Sequence, residues 1–347
     1  MTRRDAERAA MSRALELART PGVPLGPNPR VGCVLLAPDG TTVAEGRHRG
    51  AGTPHAEADA LAQAGDRARG ATAVVTLEPC NHTGRTGPCA RALVDAGVAR
   101  VVFAQADPTP MASGGAETLR AAGVDVEGGL LADEARAVNR AWSFAAAAGR
   151  PFVTWKLATT LDGRSAAADG TSRWVSSRPA RRDTHRLRAE CDAIMVGTGT
   201  VLVDDPQLTV RDEDDENLPR ERQLLRVVMG TREIPATRRV LDDAAETLLL
   251  ATRDPHEALA ALLARDVRHL FLEGGPTLAA AFVGAGLVDE VVVYVAPMLL
   301  GAGRSAVGDL GIGTMADALH LDVVDVATLG SGAETNLRLT MTSRKGA

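Results

Sequence analysis

The chain has 347 residues, a formal charge of -5, and is 45% hydrophobic and 24% charged. That length exceeds what one hydrophobic core ordinarily serves, so two domains are expected. The acidic balance argues against broad nucleic-acid or membrane-surface binding, which needs a basic face, while leaving room for a local basic pocket for a phosphorylated small molecule. Aromatics are only 3%, so the cores must be packed mainly with Ala, Val and Leu. Lys156 and Lys345 are the only lysines; the arginine bias is compositional, but it makes Lys156 conspicuous inside a motif. The four cysteines are Cys33, Cys80, Cys89 and Cys191. The opening MTRRDAERAAMSRALELA is charged and helical in period, without an apolar h-region, and no run approaches a membrane span. A cytoplasmic location is expected, where cysteines bind metal or stay reduced.

In chain order, residues 5–19 read as an amphipathic helix. VGCVLLAPDGTTVAEGRH reads as a hairpin, with strands 31–36 and 41–47 around an Asp39-Gly40 turn. HAEADALAQAG is a helix with Thr53 and Pro54 as start signals and Gly65 as its stop. ATAVVTL is a buried strand, PCARALVDAGV a helix stopped by Gly97, and RVVFAQAD a further strand. A short helix over 114–122 and a strand over 123–127 follow. The alternation predicts a mixed sheet sandwiched by helices. AAAAGRP (145–151) reads as a linker between domains 1–147 and 148–347. PFVTWKLATTLDG then starts a second αβ pattern, with strands near 191–196, 225–229, 247–251, 268–272 and 290–296. DEDDEN (212–217) reads as a solvated acidic loop, and no internal repeat is evident.

Two short segments concentrate chemistry in the first half. One is Thr53-Pro54-His55-Ala56-Glu57; the other is Glu78-Pro79-Cys80, with Cys89 after eight intervening residues. One imidazole and two thiolates suit Zn2+, and three protein ligands leave a fourth position for water, as a catalytic rather than a structural site requires. Bound zinc brings the pKa of water to about 7, which makes a hydroxide nucleophile available at neutral pH. His55 and Cys89 fall near predicted helix starts, whose partial positive charge favours thiolate, and Cys80 ends a buried strand. Glu57 need not bind the metal; it can take a proton from the water and return it to a leaving amine. This H-x-E … P-C-x-n-C order is the signature of zinc deaminases acting on cytosine or adenine rings. A structural zinc would want a fourth ligand, for which His82 is the candidate. Cys33, within a strand, and Cys191 read as core residues.

The long Cys–Cys spacing separates this chain from deaminases of free cytidine or tRNA adenosine, which usually have two residues there. TLEPCNHTGRTGPC (76–89), GPNPRVGCVL (26–35), GRHRGAGTPHAEADAL (46–61) and Asp107-Pro108 resemble the deaminase half of the bifunctional riboflavin-biosynthesis deaminase–reductases. In that family the longer loop helps hold a phosphorylated substrate. The family commonly has two prolines before the second cysteine, where this chain has Gly87-Pro88; this bears on loop stiffness and leaves the ligands intact. The resemblance implies that Asn28 and His48 contact substrate. Their bland alternatives are a turn-forming Asn and a solvated His.

The second half has no GxGxxG. It has LFLEGGPTLAAAF (270–282), an apolar strand meeting Gly274-Gly275 before Pro276 and Thr277 open an Ala-rich helix. Such a turn lets backbone N–H groups approach a diphosphate, although it is often purely structural. KLATTLDGRSA (156–166), SRWVSS (172–177), RRDTHRLRAECDAIMVGTGTVLVDDPQLTVR (181–211) and LEGGPTLA resemble the reductase half of the same family, which is similar to dihydrofolate reductase in fold and uses NADPH. The resemblance spans roughly residues 5–345 and is weakest over 212–265 and after 310. It implies that Ala158, Trp174, Thr200, Asp204, Thr231 and the stretch Gly275, Pro276, Thr277, Leu278, Ala279, Ala280, Ala281 line NADPH. It implies that Ser172, Arg188, Leu208, Arg211 and Glu273 line the substrate, with Lys156 a further contact. Thr231 has poorly matching flanks. Arg188 and Arg211 can clamp a ribose phosphate, though in an Arg-rich chain each also reads as a surface charge.

The fold implied is α/β throughout: an N-terminal cytidine-deaminase-like three-layer α/β/α domain and a C-terminal dihydrofolate-reductase-like domain. The function implied is hydrolytic deamination of 2,5-diamino-6-ribosylamino-4(3H)-pyrimidinone 5′-phosphate, then NADPH-dependent reduction of the ribosyl group of the aminouracil product to ribityl. The family suggests a homo-oligomer, dimer or tetramer, assembled through the reductase half. Three rivals stay open: a nucleic-acid deaminase, which needs a basic channel and short Cys–Cys spacing; a non-enzymatic zinc-stabilised scaffold; and a chain with one active half.

Overall fold

The computed structural model of the chain describes residues 2–20, 26–82, 87–109 and 112–344 and divides into two compact units, Met1–Gly149 and Arg150–Ala347. The first unit runs α1 (Arg3–Arg19), β1 (Gly32–Leu36), β2 (Thr42–Arg47), α2 (Ala56–Ala64), β3 (Thr72–Leu77), α3 (Cys89–Asp95), β4 (Arg100–Gln105), α4 (Gly115–Ala121), β5 (Asp125–Gly128), α5 (Ala132–Val138) and α6 (Arg140–Ala148). α1 starts two residues earlier than its apolar period indicates, because Thr2 and Asp5 form a reciprocal capping box.

The sheet order is β2-β1-β3-β4-β5, antiparallel across β2-β1-β3 and parallel across β3-β4-β5. Strand residues alternate between two cores. Cys33, Leu35, Val75 and Leu77 pack with Ala56, Ala60, Ala90, Leu93 and Leu119 of α2, α3 and α4. Val34, Leu36, Val74 and Val102 face the other way, against Met11, Ala14 and Leu15 of α1 and Ala135 of α5. The result is the three-layer α/β/α arrangement, built almost without aromatics. The stretch read as a linker is different: α6 continues through Ala148, and Gly149 ends it in the left-handed region at φ 66°. Its alanines suit helix, and the two units divide directly after it, between Gly149 and Arg150.

The second unit runs β6 (Phe152–Thr160), β7 (Arg164–Ala166), α7 (Arg178–Arg188), β8 (Ala193–Gly197), α8 (Thr198–Asp204), β9 (Leu225–Met229), β10 (Thr247–Leu250), α9 (Pro255–Leu263), β11 (His269–Leu272), α10 (Pro276–Gly284), β12 (Glu290–Ala296), β13 (Arg304–Ser305), β14 (Leu321–Leu329) and β15 (Asn336–Ser343). Its main sheet is ordered β10-β9-β8-β11-β6-β12-β15-β14; the first six strands are parallel, and β15 and β14 are antiparallel additions. Helices α9 and α10 cover one face through Leu259, Leu262, Ala279 and Phe282, and α7 packs on the other through Ala180 against Val292 and Tyr294. Burial on both faces explains why β8 and the ends of β9 and β11 read as apolar runs, with Arg226 of β9 the buried exception, paired with Asp242. DEDDEN is an exposed turn closed by a bridge between Arg211 and Asn217. Among the described residues no helix is long and apolar enough to cross a membrane.

One contact fixes where α2 sits. A Cβ on Gly46 of β2 would lie 2.1 Å from the Ala56 carbonyl oxygen and 2.5 Å from the Ala60 nitrogen. Both atoms are backbone, so only glycine permits this approach. Gly46→Ala should therefore destabilise the first unit by about 2–3 kcal/mol. Hydrogen exchange followed through urea denaturation checks this: the first unit's transition should move to lower urea while the second unit's stays in place.

Candidate functional site

His55 is the residue before α2, in extended conformation, and Glu57 lies in that helix's first turn. Cys89 is the first residue of α3, and Cys80 follows the end of β3 by three residues. The strand stops short of Cys80 because Pro79 has no N–H to donate. The Glu78 carboxylate instead accepts the N–H groups of Asp107 at 3.3 Å and Ala116 at 3.0 Å, fixing the Cys80 turn against α4.

These elements bring three ligand atoms together. His55 Nδ1 is 3.5 Å from Cys80 Sγ and 3.3 Å from Cys89 Sγ, and all three atoms lie within 4.8 Å of one another. The Cys89 backbone N–H donates to Cys80 Sγ at 3.4 Å. Among the described residues no other group of three His, Cys, Asp or Glu converges in this way. The donor set, one imidazole and two thiols, fits zinc with a fourth position left over. His82 is outside the cluster, and its buried Nδ1 has no hydrogen-bond partner among the described residues. The rest of the Cys80–Cys89 loop, 83–86, lies outside the described residues.

The electrostatics favour a cation. Cys80 is pulled down by hydrogen bonding from Cys89, against its burial and with help from His55. Cys89 is pushed up, first by the Cys80 sulfur beside it, then by burial and the Glu57 charge. One thiolate forms readily and in doing so keeps the second sulfur protonated. Burial raises Glu57 to about 7, and the Cys80 charge adds to the rise. A carboxyl poised near neutrality can both accept and return a proton.

A second pair adjoins the cluster. The His48 and His55 rings meet edge to face with centroids 5.5 Å apart. His48 Nδ1 is 3.0 Å from the Pro54 carbonyl oxygen, which can only accept, so Nδ1 carries the proton. His48 Nε2 is then free to accept from Asn28 Nδ2 at 2.9 Å. Burial lowers the His48 pKa, in keeping with a neutral ring. Asn28 retains its carbonyl oxygen as an acceptor.

In the second unit, the carboxyl ends of the parallel strands carry the residues singled out from sequence. β11 ends at Leu272, and Glu273, Gly274 and Gly275 lead into α10, whose first residue is Pro276. Thr200 of α8 stands against this turn, its Oγ1 3.7 Å from where a Gly275 Cβ would be. Thr277 is exposed and Leu278 and Ala280 are half-buried; Ala279 is packed in the core and Ala281 lies on the solvent face. Glu273 joins two cations: Lys156 Nζ at 3.3 Å and Arg188 Nη2 at 2.6 Å. Burial opposes its ionisation, but the Arg188 and Lys156 charges outweigh that and hold its pKa at about 2. The cluster therefore carries one net positive charge. Arg188 also donates to the Thr209 carbonyl at 2.9 Å, next to Leu208, which is in the left-handed region at φ 59°. Arg211 pairs with exposed Asp215, and its N–H donates to His185 Nδ1 at 3.2 Å.

Other positions are more dispersed. Trp174 is 63% exposed, with the Arg181 guanidinium 4.2 Å from its ring centroid, so it is not a core residue. Arg173 donates to the Asp204 carbonyl at 3.3 Å, and Ser172 is exposed. Ala158 lies half-buried in β6, beside Tyr294 in register. Thr231 follows β9 and accepts from Arg253 at 3.3 Å. Sequence reasoning passed over Tyr294 and His185. Tyr294, the single tyrosine, donates to Asp183 at 2.8 Å and has Lys156 Nζ 5.8 Å from its ring centroid. Its signal was a lone polar tip within the apolar run VVVYVA.

Comparison with known proteins accounts for both units. Residues 4–105 match the cytidine and deoxycytidylate deaminase zinc-binding region, and 151–334 match the RibD C-terminal domain. The chain is 50% identical to riboflavin biosynthesis protein RibD of Mycobacterium tuberculosis, covering 88% of this chain and 89% of that one. It is 42% identical to the Escherichia coli K12 RibD, covering 92% and 96%. In structure it is similar to Acinetobacter baumannii RibD (TM-score 0.90, 37% identity, 98% and 99% covered). It is also similar to the Thermotoga maritima diaminohydroxyphosphoribosylaminopyrimidine deaminase/5-amino-6-(5-phosphoribosylamino)uracil reductase (TM-score 0.88, 30% identity, 99% and 100% covered). The chain belongs to the RibD family, a bifunctional deaminase and reductase of riboflavin biosynthesis with a zinc-binding deaminase domain and an NADPH-using reductase domain.

Proposed function

We propose that residues 1–147 remove an exocyclic amine from 2,5-diamino-6-ribosylamino-4(3H)-pyrimidinone 5′-phosphate, and that residues 148–347 reduce the ribosyl group of the resulting 5-amino-6-(5-phosphoribosylamino)uracil to ribityl. The observation that carries the first assignment is the convergence of His55, Cys80 and Cys89 beside buried Glu57. His55 and the two sulfurs would hold zinc, which when bound supplies a water acidic enough to be a nucleophile at neutral pH. Glu57 would take one proton of that water and pass it to the ring nitrogen, then carry the remaining hydroxyl proton to the amine, so that ammonia leaves and the ring carbon keeps a carbonyl oxygen next to a ring N–H. Neutral His48 orients Asn28, whose free carbonyl oxygen accepts from an amino group of the pyrimidine.

For the second reaction NADPH, when bound, supplies the hydride. The Gly274-Gly275 turn and the start of α10 would seat its diphosphate beside Thr200, with Ala158, Trp174, Asp204 and Thr231 along the remainder. Lys156, Arg188, Leu208, Arg211, Ser172 and Glu273 would face the phosphoribosyl substrate. Glu273 ties down Lys156 and Arg188 and leaves one net positive charge for a phosphate. Catalysis here rests chiefly on positioning donor and acceptor.

The assembly reading is a homo-oligomer built through the reductase half. It is supported by Leu321, Val323, Val324 and Val326, which stand exposed on the edge strand β14. The four cysteines are all free thiols, which supports a cytoplasmic location. No nucleic-acid or membrane partner is called for.

Three experiments test the assignments. Glu57→Gln should lower ammonia release about 100- to 10,000-fold, with zinc content and NADPH oxidation on the aminouracil substrate unchanged; full deaminase activity in a zinc-loaded variant would sink the proton-transfer role. Chelation should likewise silence deamination and spare reduction. A Cβ at Gly275 meets nothing closer than Thr200 Oγ1 at 3.7 Å, so Gly275→Val places its added bulk in the turn itself. It should raise the KM for NADPH by about tenfold or more and leave deamination untouched. An unchanged KM would place the diphosphate elsewhere.

A further inference from the structure

The loop that carries Asn28 is gripped from a distant part of the chain. Asn139, between α5 and α6, accepts the Arg30 N–H through Oδ1 at 2.8 Å and donates from Nδ2 to the Arg30 carbonyl at 2.9 Å. One amide thus satisfies both polar groups of a single loop residue, 109 positions away. Asn139 is only 3% exposed, so its hydrogen bonds are made out of water. Three residues on, Trp142 Nε1 donates to the Pro27 carbonyl at 3.1 Å. Asn28 lies between the two anchored residues. The Trp142 ring also packs on the core that holds α2 and α3, the helices bearing His55, Glu57 and Cys89.

The position of these residues in the chain adds to the case. The deaminase zinc-binding match ends at residue 105 and the RibD C-terminal match begins at 151, so α5 and α6 lie in neither. Yet α6 is tied both to the loop and to the sheet: Gln105, last residue of β4, donates to Ser143 at 2.8 Å. A helical segment that only connected two domains would have no reason to bury an amide against Arg30. Within the loop Asn28 meets His48 and Val31 packs in the core below α2. Beyond these contacts, its far end is held by the His48 N–H donating to the Val31 carbonyl at 3.0 Å.

We infer that Asn139 and Trp142 are positioning residues of the deaminase: the segment between the two family domains completes the substrate pocket by clamping the 27–31 loop, and so fixes Asn28 against His48. This rests on the proposed role of Asn28 in binding the pyrimidine. It makes the α5–α6 segment part of the first active site and sets substrate affinity, with no part in the proton transfers at Glu57.

The test uses the full-length, zinc-loaded enzyme; zinc content and the first unit's urea transition report the folding of the deaminase unit, and reductase activity reports that of the second unit. Asn139→Ala removes both clamp bonds, and Trp142→Phe keeps an aromatic ring while removing one. The deaminase KM should rise about tenfold in the first and about threefold in the second, in line with the loss of buried hydrogen bonds. The deaminase kcat should stay within about a factor of two, because uniform binding and not the chemical step is affected. Zinc content and reductase kinetics should not change. An unchanged KM in Trp142→Phe together with Asn139→Ala overturns the inference, as does a parallel fall of kcat with zinc loss in Trp142→Phe, which would make the clamp merely structural. Asn28→Ala separates this inference from the reading beneath it. If Asn28→Ala leaves KM unchanged, the pocket assignment of Asn28 fails; if it raises KM and the clamp variants do not, the clamp alone fails.

Discussion

Two buried sulfurs and an imidazole nitrogen, 3.3–3.5 Å apart across the His55 contacts, cannot all take their ligating protonation states without a cation. Cys80 ionises easily, and its charge holds the proton on Cys89. A divalent ion removes that conflict, because it favours both thiolates at once and the neutral imidazole. Much of the first unit serves to bring these atoms together. The starts of α2 and α3 supply His55 and Cys89, Gly46 lets α2 press against β2, and Glu78 pins the Cys80 turn between β4 and α4. Glu57 shares the same enclosure, and burial lifts it to about 7.

The second unit handles charge in the opposite way. Its conspicuous carboxylate, Glu273, is held near 2 by Arg188 and Lys156 rather than lifted. Here ionisation is locked, as suits the proposed site for a phosphorylated sugar and a dinucleotide, which needs few proton transfers of its own. One chain therefore holds a site with a carboxyl poised to titrate and another with a carboxylate fixed as a structural anion. Burial acts on both; the neighbouring charges decide the direction.

How much of this the sequence disclosed follows from where the determinants lie. The His-x-Glu and Pro-Cys segments are local, and their order pointed to zinc before any fold was in hand. The strands of the parallel sheets were visible as apolar runs, and Gly65, Gly97 and Asp39-Gly40 marked turns where the structure has them. At 145–151 the alanines belong to the end of α6, and the two units divide just after it, at Gly149–Arg150. β14 and β15 went unread because exposed Val323, Val324 and Val326 follow no buried-face alternation. Long-range pairings were wholly out of reach. Nothing in the sequence announces that Glu273 meets both Lys156 and Arg188, that Asn28 and His48 share a proton donor and acceptor, or that Asn139 reaches back to Arg30.

The central claim, that one cation resolves the protonation conflict between Cys80 and Cys89, is tested most directly by adding zinc to metal-free protein. Bound zinc and released protons are measured together near neutral pH, for the native chain and for Cys89→Ser. The account predicts one zinc per chain in the native protein, with release of the proton held within the Cys80–Cys89 pair, and loss of both in the variant. Tight binding without proton release, or undiminished binding in Cys89→Ser, would contradict it.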